Sequence, residues 1–140
     1  MKPFHTLALA TLFIAWLAIP AVAEPLSQAS AEALARKQLQ RLDQGWQDEV
    51  WQAATETFQV LNEQTHWSSR QKLIRTLYGP LQTRELKRIS YHKTFNLSPD
   101  GRYIIIQFQS SYENKAETIE TVVLDCSAGT TCPIREYIIQ

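Results

Sequence analysis

The spacing of apolar side chains changes once along this chain, near Pro80, and the change separates a helical half from a strand half. From Ser27 or Ser30, either a suitable N-cap, apolar side chains recur at Ala31, Ala35, Leu39, Leu42 and Trp46. Steps of three and four residues draw one stripe along a helix. Gly45 is placed to end it in a left-handed conformation. A second helical run sets Trp51, Ala54, Phe58 and Leu61 on one side, with Asp48 and Glu49 in its first turn. A third begins near Ser68, turns Trp67, Ile74 and Leu77 inward, exposes Arg70 and Lys72, and stops at Gly79-Pro80.

Beyond Pro80 the period is two. Leu81 to Phe95 alternates loosely, with Ile89, Tyr91, Lys93 and Phe95 on one side, and Ser98-Pro99-Asp100-Gly101 is a turn. Arg102 to Tyr112 is the clearest strand: Ile104-Ile105-Ile106 asks for burial on both faces, while Gln107, Gln109 and Ser111 keep one end of one face polar. Glu113-Asn114-Lys115 turns the chain again, and Thr118 to Asp125 with Ile134 to Ile139 makes a closing hairpin. The pattern predicts an α+β domain, three helices packed on a curved four-strand antiparallel meander.

The N-terminus changes this picture. One basic residue, Lys2, precedes an uncharged, mostly apolar run from Thr6 to Ile19, and Pro20-Ala21-Val22-Ala23 ends in an A-x-A pattern. That is a secretory leader, too short to span a bilayer and expected to be removed after Ala23. The expected product is a single domain, residues 24–140, in the periplasm or outside the cell, with no stable membrane anchor. At 117 residues it has the size of one core.

Its charge is near balance, 13 basic against 14 acidic side chains, so no global field recruits nucleic acid. Residues 70–93 nonetheless hold Arg70, Lys72, Arg75, Arg84, Lys87, Arg88 and Lys93 against Glu85 alone. Two readings stand: a solvated face neutralised by the acidic flanks, or a surface for an anionic partner.

Cys126 and Cys132 bracket five turn-forming residues between β-rich runs, and an even pair in an exported chain reads as a disulfide. The spacing suits neither a redox pair nor zinc, and His66 and His92 lie 26 residues apart, so neither a metal nor a cofactor is expected. No hydrolase elbow and no glycine-rich phosphate loop occurs in the chain. Isomerase-type chemistry needs a buried ionisable side chain, for which Asp125, Tyr103 and Tyr112 are the candidates, each also explained by packing or a strand end.

Short motifs carry a resemblance. Trp51-x3-Thr55-x2-Phe58, Trp67, Arg75-x-Leu77-x-Gly79-x4-Arg84, Asp100-Gly101-x-Tyr103 and Tyr137-Ile138-Ile139 fall in one order. Over roughly residues 31–139 the chain resembles the small exported bacterial domains of domain-of-unknown-function family 4019. The resemblance implies a signal-bearing envelope protein, similar in element order to the cone-shaped nuclear-transport-factor-2-like (cystatin-like) fold, and implies no activity. Where members carry a Trp before the final Tyr and a Gly beside it, this chain has Cys132 and Glu136.

The leading expectation is therefore an exported non-enzymatic binding or interaction domain. A concavity between helices and sheet, walled by Trp67, Tyr78, Tyr103 and Phe108, with Arg84 at its mouth and Gln107 on its strand, would hold a small ligand or partner peptide. Arg84 has a second reading, an Arg that pairs with a backbone carbonyl or an acid and fixes the crossing between the third helix and the first strand. The alternatives are a structural envelope protein acting as a homodimer through its sheet face, and a small isomerase or dehydratase.

Overall fold

The computed structural model describes residues 24–129 and 131–140; the expected leader, residues 1–23, lies outside the described residues. The architecture is α+β. Four helices, α1 (Gln28–Asp43), α2 (Gln47–Gln52), α3 (Glu56–Leu61) and α4 (Gln64–Tyr78), precede strands β1 (Leu81–His92), β2 (Tyr103–Tyr112), β3 (Lys115–Asp125) and β4 (Ile134–Ile139). The strands form one antiparallel meander in the order β1-β2-β3-β4.

Four helices replace the expected three because the second run breaks at Thr55. Its hydroxyl accepts from the Phe58 N–H and starts α3, while its own N–H donates to the Ile134 carbonyl, 2.9 Å away on the edge strand β4. Those two bonds supply what a continuous helix would have supplied. α4 begins at Gln64, not Ser68, because the Glu63 carboxylate caps it, accepting from the Thr65 and His66 N–H groups. Both bonds favour the ionised form and hold the Glu63 carboxyl below its usual range.

α1 buries Ala31, Ala35, Leu39 and Leu42 as the stripe predicts. Gly45 takes φ +88°, but the reversal there throws Trp46 off the stripe and leaves it 47% exposed. Leu61 and Leu77, expected inward, are also exposed, because α3 ends at Leu61 and α4 turns Trp67, Ser68 and Gln71 to the core instead. The Phe58 and Trp67 rings meet edge to face at 5.3 Å, and Ser68 donates to Asp48 at 2.6 Å, joining α2 to α4.

Strand alternation assigns the two sheet faces. Ile104, Ile106 and Phe108 of β2 and Val122 and Leu124 of β3 point at the helices and are buried. α1 lies over β1 and β2, with the Arg36 guanidinium 4.9 Å from the Phe108 ring and donating to the Arg84 carbonyl on the outer edge of β1. On the far face, the β1–β2 loop folds back across the sheet. The Tyr103 hydroxyl donates to Pro99, Phe95 packs on Tyr103, and Arg135 of β4 reaches Asn96 and Ser98. That cover explains why Tyr103 is buried on the face away from the helices.

Candidate functional site

Two sites occupy opposite ends of the strands. At the β2–β3 hairpin end, alternation along β3 points Thr118, Glu120, Val122 and Leu124 the same way, so a carboxylate enters the core beside two aliphatic side chains. Glu120 is 0% exposed. Unpaired, such a charge would be prohibitively unfavourable. It is met by Arg84 of β1 through Nε at 2.6 Å and Nη2 at 3.1 Å, by the Ser110 hydroxyl at 2.6 Å, and by the Tyr112 and Tyr137 hydroxyls at 2.9 Å each. Asp43, at the end of α1, takes the other edge of the Arg84 guanidinium at 2.8 and 3.3 Å.

Arg75 of α4 completes the group. It donates to Tyr137 at 3.0 Å and to Gln71 at 3.1 Å, and lies 3.4 Å from Asp43 and 3.7 Å from Glu120. Two guanidinium groups face two carboxylates, so the cluster is electrically balanced. Burial pushes the Glu120 carboxyl up, but the charge and hydrogen bonds of Arg84, with those of Ser110 and Tyr112, outweigh it and hold it below its ordinary value. Burial and the nearby Glu120 charge together push the Tyr112 and Tyr137 hydroxyls well above theirs. Chemically this is an ion network in which the Glu120 carboxylate is held ionised between two permanent cations and the Tyr112 and Tyr137 phenols are held neutral.

At the other end, the close of β1, the start of β2 and the disulfide hairpin enclose an apolar cavity of about 250 Å³, walled by Leu26, Tyr91, Tyr103, Ile104 and the Cys126–Cys132 bridge. One wall is heavily tied. Arg102 donates twice to the Cys126 carbonyl, at 3.1 and 2.8 Å, and the Cys126 N–H donates to the Arg102 carbonyl at 2.7 Å. Gly101 leaves room there: a Cβ would crowd the Ser127 side chain and push its hydroxyl, which accepts from the Arg102 N–H, off that bond. The opposite wall is the segment before α1, held by one bond from the Tyr91 hydroxyl to the Leu26 carbonyl at 2.8 Å.

The side chains expected to share one concavity are distributed between these places. Trp67 and Phe108 fill the core. Arg84 is in the ion network, and Tyr78 packs on Tyr112 beside it at 5.6 Å. Gln107 lies on the outer sheet face and donates to Thr121 at 3.2 Å. Tyr103 alone of that set lines the apolar cavity. Of the ionisable candidates, Tyr103 and Tyr112 are buried, whereas Glu120, the buried carboxylate, was missed by sequence reasoning, although the alternation of Thr118, Glu120, Val122 and Leu124 marked it. Among the described residues no group of three His, Cys, Asp or Glu side chains is placed to hold a metal ion, and no helix is long and apolar enough to cross a membrane.

Fold and sites together define a small disulfide-bearing α+β domain with a closed ion network at one end of its sheet and an apolar cleft at the other. A family model described as "Protein of unknown function (DUF4019)" matches residues 34–134, most of the chain, and the chain belongs to that family. Of the residues that carried the resemblance, Arg75, Arg84 and Tyr137 build the ion network, Gly101 and Tyr103 line the cleft, and Phe58 and Trp67 fill the core. Neither a curated protein nor a solved structure matches the chain.

Proposed function

We propose that this domain is an exported, non-enzymatic binding module, released after Ala23 into the periplasm or the medium, whose ligand occupies the apolar cleft beside the disulfide. The observation that carries the reading is the contrast between the sites. The ion network has each charge answered from within the chain, whereas the cleft is apolar, partly open and braced on one side. A cavity of roughly 150 Å³ accommodates benzene, so 250 Å³ has room for a ring or a short hydrocarbon segment. The disulfide is consistent with an oxidising compartment.

Native mass spectrometry of protein recovered from an exporting cell tests this. The expected result is a small non-covalent adduct that Leu26→Trp, which fills the cleft, removes. An adduct-free wild type, or an adduct that Leu26→Trp leaves in place, overturns the assignment. A second reading, a homodimer through the outer sheet face, is favoured by Ile138, 43% exposed there, with half-buried Ile105 and Ile119 on the same face. Sedimentation that finds a dimer abolished by Ile138→Lys would support it.

A further inference from the structure

We infer that the cleft takes an amphipathic carboxylate: a short aliphatic or single-ring tail between Leu26, Tyr91 and Ile104, and a carboxylate head on the Lys93 ammonium. This rests on the binding reading above and adds the ligand's chemistry to it.

The tail follows from the walls. The Tyr91 phenol on the cleft wall has already spent its hydrogen on the Leu26 carbonyl at 2.8 Å. A ligand polar along its whole length would lose water there and find few donors in return. The head follows from the rim, which carries Lys93 and Arg102 against Glu24. Arg102 is engaged by the Cys126 carbonyl and braces the wall. His92, also on the rim, is joined to Ser90 at 2.8 Å. Lys93 has no ion pair among the described residues, and release after Ala23 would add the Glu24 α-ammonium to the same rim, so uncommitted positive charge lies beside an apolar floor. Exposed ammonium groups at an apolar rim suit the carboxylate of an amphipathic ligand, whereas the bidentate fork that favours phosphate oxygens is missing because Arg102 is engaged by the Cys126 carbonyl.

The test compares octanoate with octanol, equal in tail and different in head, by amide NMR on protein produced from the full-length chain at low salt. The expected result is that both perturb Leu26, Tyr91 and Ile104, that octanoate binds more tightly, and that Lys93→Gln weakens octanoate about threefold, as an exposed ion pair allows, while leaving octanol unchanged. Leu26→Trp should abolish both. If octanol binds as tightly as octanoate, or Lys93→Gln affects neither, the carboxylate assignment fails and the cleft survives as a neutral apolar site. If neither probe perturbs those residues, the cleft itself is not the binding site and both readings fall. Lys93 lies on the surface, so Lys93→Gln leaves the fold intact and its result is interpretable.

Discussion

The two ends of this sheet solve the same problem, closing a small core, by opposite means. At the hairpin end the chain buries the Glu120 charge, pairs it with Arg84 and Arg75, balances those with Asp43 and completes its hydrogen bonds with three hydroxyls. At the other end it leaves apolar surface uncovered and braces it with a covalent bridge and with the Arg102–Cys126 bonds, packed closely past Gly101. The difference teaches that an abundance of ionisable residues does not mark a binding site. A network whose charges pair with one another has most of its bonding spent within the chain, whereas an apolar cleft with a braced wall retains surface to cover.

The largest effect that could break this comparison comes from the ion network. Glu120→Ala leaves the Arg84 side chain, 6% exposed, without its buried partner, and should destabilise by about 3–5 kcal/mol in urea unfolding. A loss below about 1 kcal/mol would show that the network is ornament and that packing alone closes that end. Titration probes the same residues without mutation. Because Glu120 is depressed in the folded state, its stabilisation is present above the ordinary carboxyl value of 4.5 and is lost as pH falls through its lower folded value. Tyr112 and Tyr137 are raised, so their contribution holds below the ordinary phenol value of 10 and is lost as pH climbs through their higher folded values. Urea midpoints should therefore form a plateau between these limits. Continued rise of stability as the pH is lowered through 4 would contradict the assignment.

A smaller effect sharpens the contrast at the other end. Replacing both Cys126 and Cys132 by Ser should lower stability by about 2 kcal/mol, as expected for so short a loop. Hydrogen exchange should accelerate at Tyr91–Lys93 and Gly101–Ile104, around the cleft, and stay slow at Tyr112 and Glu120. Uniform loosening would mean that the two ends are not separable. The smallest effect concerns the β1–β2 loop, where Leu97 sits 78% exposed at φ +56°. Asn tolerates that conformation better than Leu, and Leu97→Asn should stabilise by up to about 1 kcal/mol in thermal melts. A destabilisation would mean that the Leu97 side chain makes a contact worth more than the strain.

Much of the fold was legible because it rests on local rules. The α1 stripe, the Gly45 and Gly79 stops, the tri-isoleucine strand and the cysteine staple each depend on a few neighbouring residues. The misses were tertiary. The break at Thr55 is stabilised by the Ile134 carbonyl, 79 residues away, which no helical periodicity encodes. Trp46, Leu61 and Leu77 fitted their stripes and still face solvent, since a stripe gives a direction and not a partner. Of the two readings of Arg84, its geometry matches the one that pairs it with acids. Finding Glu120 required reading strand alternation through a charge, against the expectation that acids stay outside.

One further consequence lies in how the network is assembled. Its members come from α1, α4 and all four strands, and its bonds join residues 36, 41 and 62 positions apart. A chain that has closed β2 on β3 but has not yet docked α4 and β4 holds a carboxylate in a forming core with part of its shell missing. Such half-built states are penalised electrostatically as well as by lost packing, so unfolding should be a single all-or-none transition. The chain separations place the completing step late and make it slow relative to helix formation. Glu120 thus acts as a checkpoint: the domain reaches its stable form only when its last strand has arrived.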